Sequence, residues 1–184
     1  MIKKTKLNIG SGKDYRKGWI NMDFNKTVKA DIYCDIEKGI PLKTNSVDYV
    51  YADMVLEHVK DIFFVMDELW RVCKPGAIIE IYVPHYSGVY ATKHLAHYKC
   101  YGIGSFDIML ETETFAGERY NKALFKLKKE ELIFWTHDSD KFRWIYHITP
   151  NFLFNFNRLW QQLVERFFPL SFDEIHYELK VVKK

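Results

Sequence analysis

Cysteine is scarce in this chain: three residues in 184, Cys34, Cys73 and Cys100. An odd, scattered set of thiols excludes a disulfide framework and fits a reducing compartment, so a cytoplasmic location is expected. Long apolar runs are missing too. Nothing approaches the roughly 20 uncharged apolar residues that a bilayer span needs, and the basic start Met1-Ile2-Lys3-Lys4 leads into too short an apolar run for a signal peptide. Charge of one sign is equally lacking. A formal net charge of +3 spread over the chain gives no footprint for a polyanion, so nucleic-acid binding is not indicated. There is no internal repeat and no low-complexity linker. What remains is an ordinary globular composition with a high aromatic share, 17%, concentrated after residue 85. The length suits one domain over residues 1–184.

A third glycine is also missing. Leu7-Asn8-Ile9-Gly10-Ser11-Gly12 reads as a short buried strand running into a glycine turn, and Gly18-Trp19-Ile20-Asn21-Met22-Asp23 as a second strand ending on a carboxylate. A dinucleotide fold wants Gly-x-Gly-x-x-Gly and an acid about 20 residues later. Here the acid follows only eleven positions after Gly12, and at most one helical turn fits between Gly12 and Gly18. A pyrophosphate would therefore lack its helix N-terminus. A phosphate-free nucleoside cofactor fits better, with its ribose hydroxyls on Asp23.

Further strands are expected over residues 30–34, 47–52 and 77–83. Residues 59–73 carry apolar side chains three or four apart and read as a helix, stopped by Lys74-Pro75-Gly76. Strands linked by a helical crossover indicate a mainly parallel α/β sheet, whose ligands bind outside the carboxyl ends of the strands. Asp23 and Asp35 both stand at such ends. Beyond Pro84 the pattern is less regular, with strands expected near 123–127 and 176–182 and a helix over 150–168. The wide apolar face of that helix suits a packing helix that closes the sheet, a lid over an apolar acceptor, or an interfacial helix in peripheral membrane contact.

Together with Ser46-Val47-Asp48-Tyr49-Val50, Leu56-Glu57-His58-Val59 and Arg71-Val72-Cys73-Lys74-Pro75-Gly76, these motifs resemble the Rossmann-like (class I) S-adenosylmethionine-dependent methyltransferases, and among them a small branch with "LNxGxG…GWxNxD" and "LEHV". The resemblance spans about residues 5–88. It implies a three-layer αβα sandwich with a seven-stranded, mostly parallel sheet in the order 3-2-1-4-5-7-6 and the last strand antiparallel. Residues 1–84 would form the cofactor-binding half, 85–122 an acceptor-side insertion, and 123–184 the C-terminal strands and aromatic-rich helix. The cofactor would be S-adenosylmethionine. Gly10 and Gly12 would lie under its methionine part, with Asn8 and Ser11 of the same motif beside them. Asp23 would hold the ribose, Asp35 and Ile36 the adenine, and Ala52, Asp53 and Met54 would lie close to the sulfonium. Glu57 and His58 are read as helix-start and packing residues.

Methyl transfer from a sulfonium is an in-line displacement that asks mainly for alignment and exclusion of water. The missing catalytic signature is thus no obstacle. Where a base is needed, His85, following the fifth strand, comes first, then His94 and His97. His94-x-x-His97-x-x-Cys100 has metal-compatible residue types, but no second close pair completes a set, and no metal is expected. The expected acceptor is an oxygen or nitrogen of a small metabolite, glycan or lipid precursor. The competing readings are an NAD- or nucleotide-sugar-binding oxidoreductase and a non-catalytic cofactor-binding scaffold.

Overall fold

In the computed structural model, residues 4–111, 122–133, 154–167 and 172–183 are described. Seven strands form one sheet: β1 (Lys6–Ile9), β2 (Ile20–Asp23), β3 (Ile32–Tyr33), β4 (Val47–Asp53), β5 (Cys73–Pro84), β6 (Leu124–Ile133) and β7 (Glu174–Val182). Their order is β3-β2-β1-β4-β5-β7-β6. β1 to β5 pair in parallel, and β7 runs antiparallel to both β5 and β6. Sheet order, antiparallel last strand and surrounding helices are those of the Rossmann-like methyltransferase fold, as expected.

The strands have the right periodicity for this sheet. In β5, Ile79, Ile81 and Val83 are fully buried while Ile78, Glu80 and Tyr82 alternate with them on the other face. Helix α1 (Ile62–Val72) follows β4 and returns the chain to β5. Asp61 caps it by accepting the Phe64 N–H at 3.0 Å. Its buried Val65, Met66, Leu69 and Val72 share one core with Leu7, Val50, Ile79 and Ile81. The helix is shorter than the pattern over 59–73 suggested, because Val59 is the extended residue that ends the 3₁₀ turn Leu56–His58 and Asp61 is the cap from which the helix starts. Lys74-Pro75-Gly76 ends the helix as expected, yet it lies inside β5. Val47 pairs with Cys73 and Tyr49 with Ile78, so the tripeptide bulges out of the ladder.

The first crossover, residues 10–19, is a run of turns, and so is the second, 24–31. The sheet face on that side carries its own side-chain cover. The Arg16 guanidinium lies 3.6 Å over the Tyr51 ring, Tyr51 meets Tyr82 at 5.7 Å, and Tyr82 stacks on His176 at 4.3 Å.

Two further helices are described: α2 (Val89–Lys93) and α3 (Arg158–Phe167). The first residues of the helix expected over 150–168 lie outside the described residues. α3 departs from a simple packing helix. It buries Val164 and Gln161 but exposes Leu159, Trp160, Leu163 and Phe167. The Gln161 amide is turned inward because it donates to Glu130 O (2.8 Å) and Asn155 Oδ1 (2.7 Å), and that fixes the helix's rotation. Among the described residues, no helix is long and apolar enough to cross a membrane.

Candidate active site

At the carboxyl ends of β1, β2 and β4 the sheet opens into a cleft of about 600 Å³. Ile9 and Met22 face it from the core, Asp23 and Phe24 from the end of β2, Asp35 and Ile36 from the turn after β3, and Met54, Val55 and His58 from beyond β4.

Gly10 makes the first bend. Its φ is +61°, and a Cβ there would stand 2.3 Å from Val55 Cγ2. Glycine thus serves two needs at this position, a left-handed backbone and direct contact with the cleft wall. The chain then turns so that the Gly12 N–H donates to Asp23 Oδ2 at 2.7 Å, while Asn25 N–H donates to Oδ1 at 2.8 Å. The Asp23 carboxylate is nearly buried and held by two backbone donors, with acceptor capacity left on both oxygens. Asp35 caps the 3₁₀ turn Ile36–Lys38 by accepting the Glu37 N–H at 3.1 Å. Its ion pair with Lys38 (3.2 Å) is solvent-exposed and adds little. Glu37 in turn accepts from Lys60 N–H (2.9 Å) and Asp61 N–H (3.2 Å), which ties this rim to the opposite one. Met54 is in the left-handed region (φ +52°), a costly conformation for a side-chain-bearing residue. Its N–H donates to Tyr82 O at 3.0 Å, which holds the chain in the bend that closes the end of the cleft.

Of the sequence-predicted residues, Gly10, Asp23, Asp35, Ile36 and Met54 line the cleft, and so does His94. The others do not. Asn8 donates to Asp14 O (2.7 Å) and Asn21 Oδ1 (3.2 Å), bracing the glycine loop against β2. Ser11 is buried, with its N–H on Met22 O (3.1 Å) and its hydroxyl without a partner among the described residues. Gly12 acts through its N–H and its φ of +48°, since a Cβ there would meet no atom closer than 3.8 Å. Ala52 is core between Ile9 and Ile81. Asp53 is exposed and accepts from Tyr51 OH at 3.1 Å.

His85 requires a correction. It is fully buried and outside the cleft. Its Nε2–H donates to Glu165 Oε1 at 2.8 Å, and its Nδ1 meets Ser87 Oγ at 2.8 Å. It ties the end of β5 to α3, with no ring nitrogen free for an acceptor. His97 also misses the cleft lining; its ring packs on His58 and His94, at centroid distances of 4.7 and 4.9 Å. Burial, partly opposed by the hydrogen bond to Ala91, pushes its pKa down, and the two neighbouring histidines add to the fall. Glu57, read from the sequence as a packing residue, is buried with Oε2 lacking a partner among the described residues. Burial raises its pKa to about 7, and Asp53 and Glu174 add to the rise.

Phe24, Glu37, Val55 and Lys60, which the sequence reading did not single out, also line the cleft, as does His58, read there only as a helix-start and packing residue. Phe24 follows Asp23 directly and is 78% exposed. A large apolar residue just past a strand-end carboxylate was the available signal. The others are placed by contacts remote in sequence.

Residues 11–81 match the family model described as a methyltransferase domain. None of the curated proteins compared with the chain matches it. Among solved structures, a SAM-dependent methyltransferase from Archaeoglobus fulgidus is similar at 16% identity and a TM-score of 0.59, over 97% of this chain and 86% of that one. An S-adenosylmethionine-dependent methyltransferase from Mesorhizobium loti is similar at 11% identity and a TM-score of 0.56, over 96% and 90%. Phosphoethanolamine N-methyltransferase 2 from Haemonchus contortus, in complex with S-adenosyl-L-methionine, is similar at 15% identity and a TM-score of 0.52, over 99% of this chain but 50% of that one. At these identities the structural likeness establishes the fold. The methyltransferase-domain match over residues 11–81 supports the enzyme class, a methyltransferase.

Proposed function

We propose that the cleft between β1, β2 and β4 holds S-adenosylmethionine and that the methyl group passes to an oxygen or nitrogen of a small metabolite, glycan or lipid precursor. The observation that carries the reading is the shared cleft of Asp23 and Asp35, two carboxylates at neighbouring strand ends, with the left-handed Gly10 bend at its floor. The fit is chemical as well as spatial. Asp23 keeps acceptor capacity for the two ribose hydroxyls, and Asp35 for the adenine amino group. Phe24 and Ile36 offer the apolar surface that a base needs. Gly10, Met54 and Val55 bound the end left for the methionine portion.

The bound cofactor supplies a methyl group on a cationic sulfur. The protein's share is to fix ribose and base, to shut water from the sulfonium end with Met54 and Val55, and to present the acceptor from the side of His58 and His94. No strong base is demanded for an amine acceptor, whereas a hydroxyl acceptor needs a group that lowers its pKa or takes its proton. The turn-only first crossover counts against the dinucleotide alternative, since no helix N-terminus faces the cleft there to receive a pyrophosphate.

Calorimetry with S-adenosylhomocysteine, S-adenosylmethionine and NAD tests the reading. Saturable heat with the first two and none with NAD is the expected result. Heat with NAD alone, or with none of the three, overturns it.

A further inference from the structure

We propose that His58, His94 and His97 form a binding site for one divalent transition-metal ion of the zinc class, with an open coordination position toward the cleft. One ring nitrogen from each of the three lies within 4.8 Å of the other two. The ring centroids are 4.7, 4.9 and 5.4 Å apart. Imidazoles bound tetrahedrally through Zn–N bonds of about 2.0–2.1 Å place their ring centroids about 5 Å and their ligating nitrogens about 3.4 Å apart, so the rings already stand at the right spacing and turning them about their side-chain torsions would bring the nitrogens together. The tautomers are set as well. A carbonyl can only accept, so the bonds from His58 Nδ1 to Ala96 O (3.1 Å) and from His97 Nδ1 to Ala91 O (3.3 Å) put the proton on Nδ1 in both rings. Both are left with a lone pair on Nε2, the arrangement that second-sphere carbonyls impose on metal-bound histidines. His94 is the exposed third member. Its Nδ1 accepts from Ala96 N–H over a long 3.3 Å, a bond that ligation would replace.

The site joins two stretches far apart in the chain, and the joint is built. Tyr98 N–H donates to Glu57 O (2.8 Å) and Tyr101 OH to Leu56 O (3.0 Å), locking the segment after β5 onto the turn that carries His58. Glu57 adds a carboxyl whose Oε1 is 3.9 Å from His58 Nε2, a favourable neighbour for a cation. Cys100 does not join the group. Three neutral imidazoles with a fourth position open describe a catalytic rather than a structural zinc site. Because His58 and His94 line the cleft, that position faces the space assigned to the acceptor. The ion would bind the acceptor's oxygen or nitrogen and lower its pKa. This role rests on the proposed methyl transfer; the metal site itself does not.

Cobalt(II) titration of the chelator-stripped full chain, followed by visible absorption, is the test. One equivalent with the strong bands of four-coordinate cobalt is expected, and unchanged in Cys100→Ser. Loss of an outer-sphere partner alone costs a metal site about 10–100-fold in affinity, so His97→Ala and the exposed-site variant His94→Gln should each weaken binding by more than that, and His94→Gln should keep the wild-type melting temperature in chelator. Non-saturable cobalt uptake, or affinity unaltered in both variants, overturns the proposal. S-adenosylhomocysteine binding, measured on the same stripped samples, separates the two claims. Cobalt without nucleoside binding would sink the cofactor assignment and leave the metal site standing; nucleoside without cobalt would do the reverse.

Discussion

The two walls of the cleft are made in different ways. The wall of Gly10, Asp23 and Asp35 is built from short loops at the ends of adjacent parallel strands, with backbone N–H groups of Gly12, Asn25 and Glu37 gripping the carboxylates. The opposite wall brings His58 against His94 and His97 through bonds between a 3₁₀ turn and a segment beyond β5. A wall of the first kind is fixed by sheet register and local turn chemistry, so it holds its shape wherever the strands pair. The second depends on how one segment packs on another, and there specificity is free to vary without disturbing the sheet.

The largest effect is expected at Asp23. Asp23→Ala removes two charge-assisted hydrogen bonds of about 1.5–3 kcal/mol each, so S-adenosylhomocysteine affinity should fall by about 100-fold or more, read by calorimetry. Retained affinity would mean that the ribose is not held there. His85→Ala should act on the fold instead. It strands the partly buried Glu165 carboxylate without its ring partner, a loss of about 2–4 kcal/mol in urea unfolding. Nucleoside affinity of the folded fraction should stay near wild type.

On the opposite wall, Glu57 makes stability depend on pH. Its folded pKa, about 7, stands above the ordinary 4.5, so the folded state binds the extra proton between those values. Stability should therefore fall as pH rises from about 4.5 to 7, by an amount of the order of 3 kcal/mol. Glu57→Gln should flatten that slope in metal-free buffer, measured as unfolding free energy at pH 5 and pH 8. The smallest effect is expected at Asp53. Exposed and bonded to Tyr51 outside the cleft, it should change stability by about 0.5 kcal/mol or less as Asp53→Asn. Nucleoside affinity should shift less than threefold, near the scatter of a calorimetric comparison of surface variants. A large loss of affinity there would move the sulfonium end of the site toward the end of β4.

Legibility followed the same division. The strand-end carboxylates could be read because each closes a short apolar run, and a parallel sheet puts such ends on one edge. The helical spacing of Ile62, Phe63, Met66, Leu69 and Trp70 made α1 legible, though the face it buries most deeply is Val65, Met66, Leu69 and Val72. Asn8, Ser11 and Ala52 belong to the right motif but face the loop brace or the core, since side chains alternate along a strand and only one face of each end opens on the cleft. His85 looked exposed to an acceptor because it follows β5, yet α3 with Glu165 and the rings of Tyr86 and Phe172 close around it. His58 was legible only as a helix-start and packing residue, because its partners lie more than thirty positions away.

From the sequence come the short strands, the clipped first crossover and the two strand-end carboxylates, which depend on short-range periodicity and turn chemistry, while the order of the strands was implied by the family resemblance. Tertiary structure alone decided which histidines meet, which one is sealed in the core and which way α3 turns its apolar side chains. Those outcomes depend on hydrogen bonds between segments far apart in the chain, and no local pattern encodes such pairings.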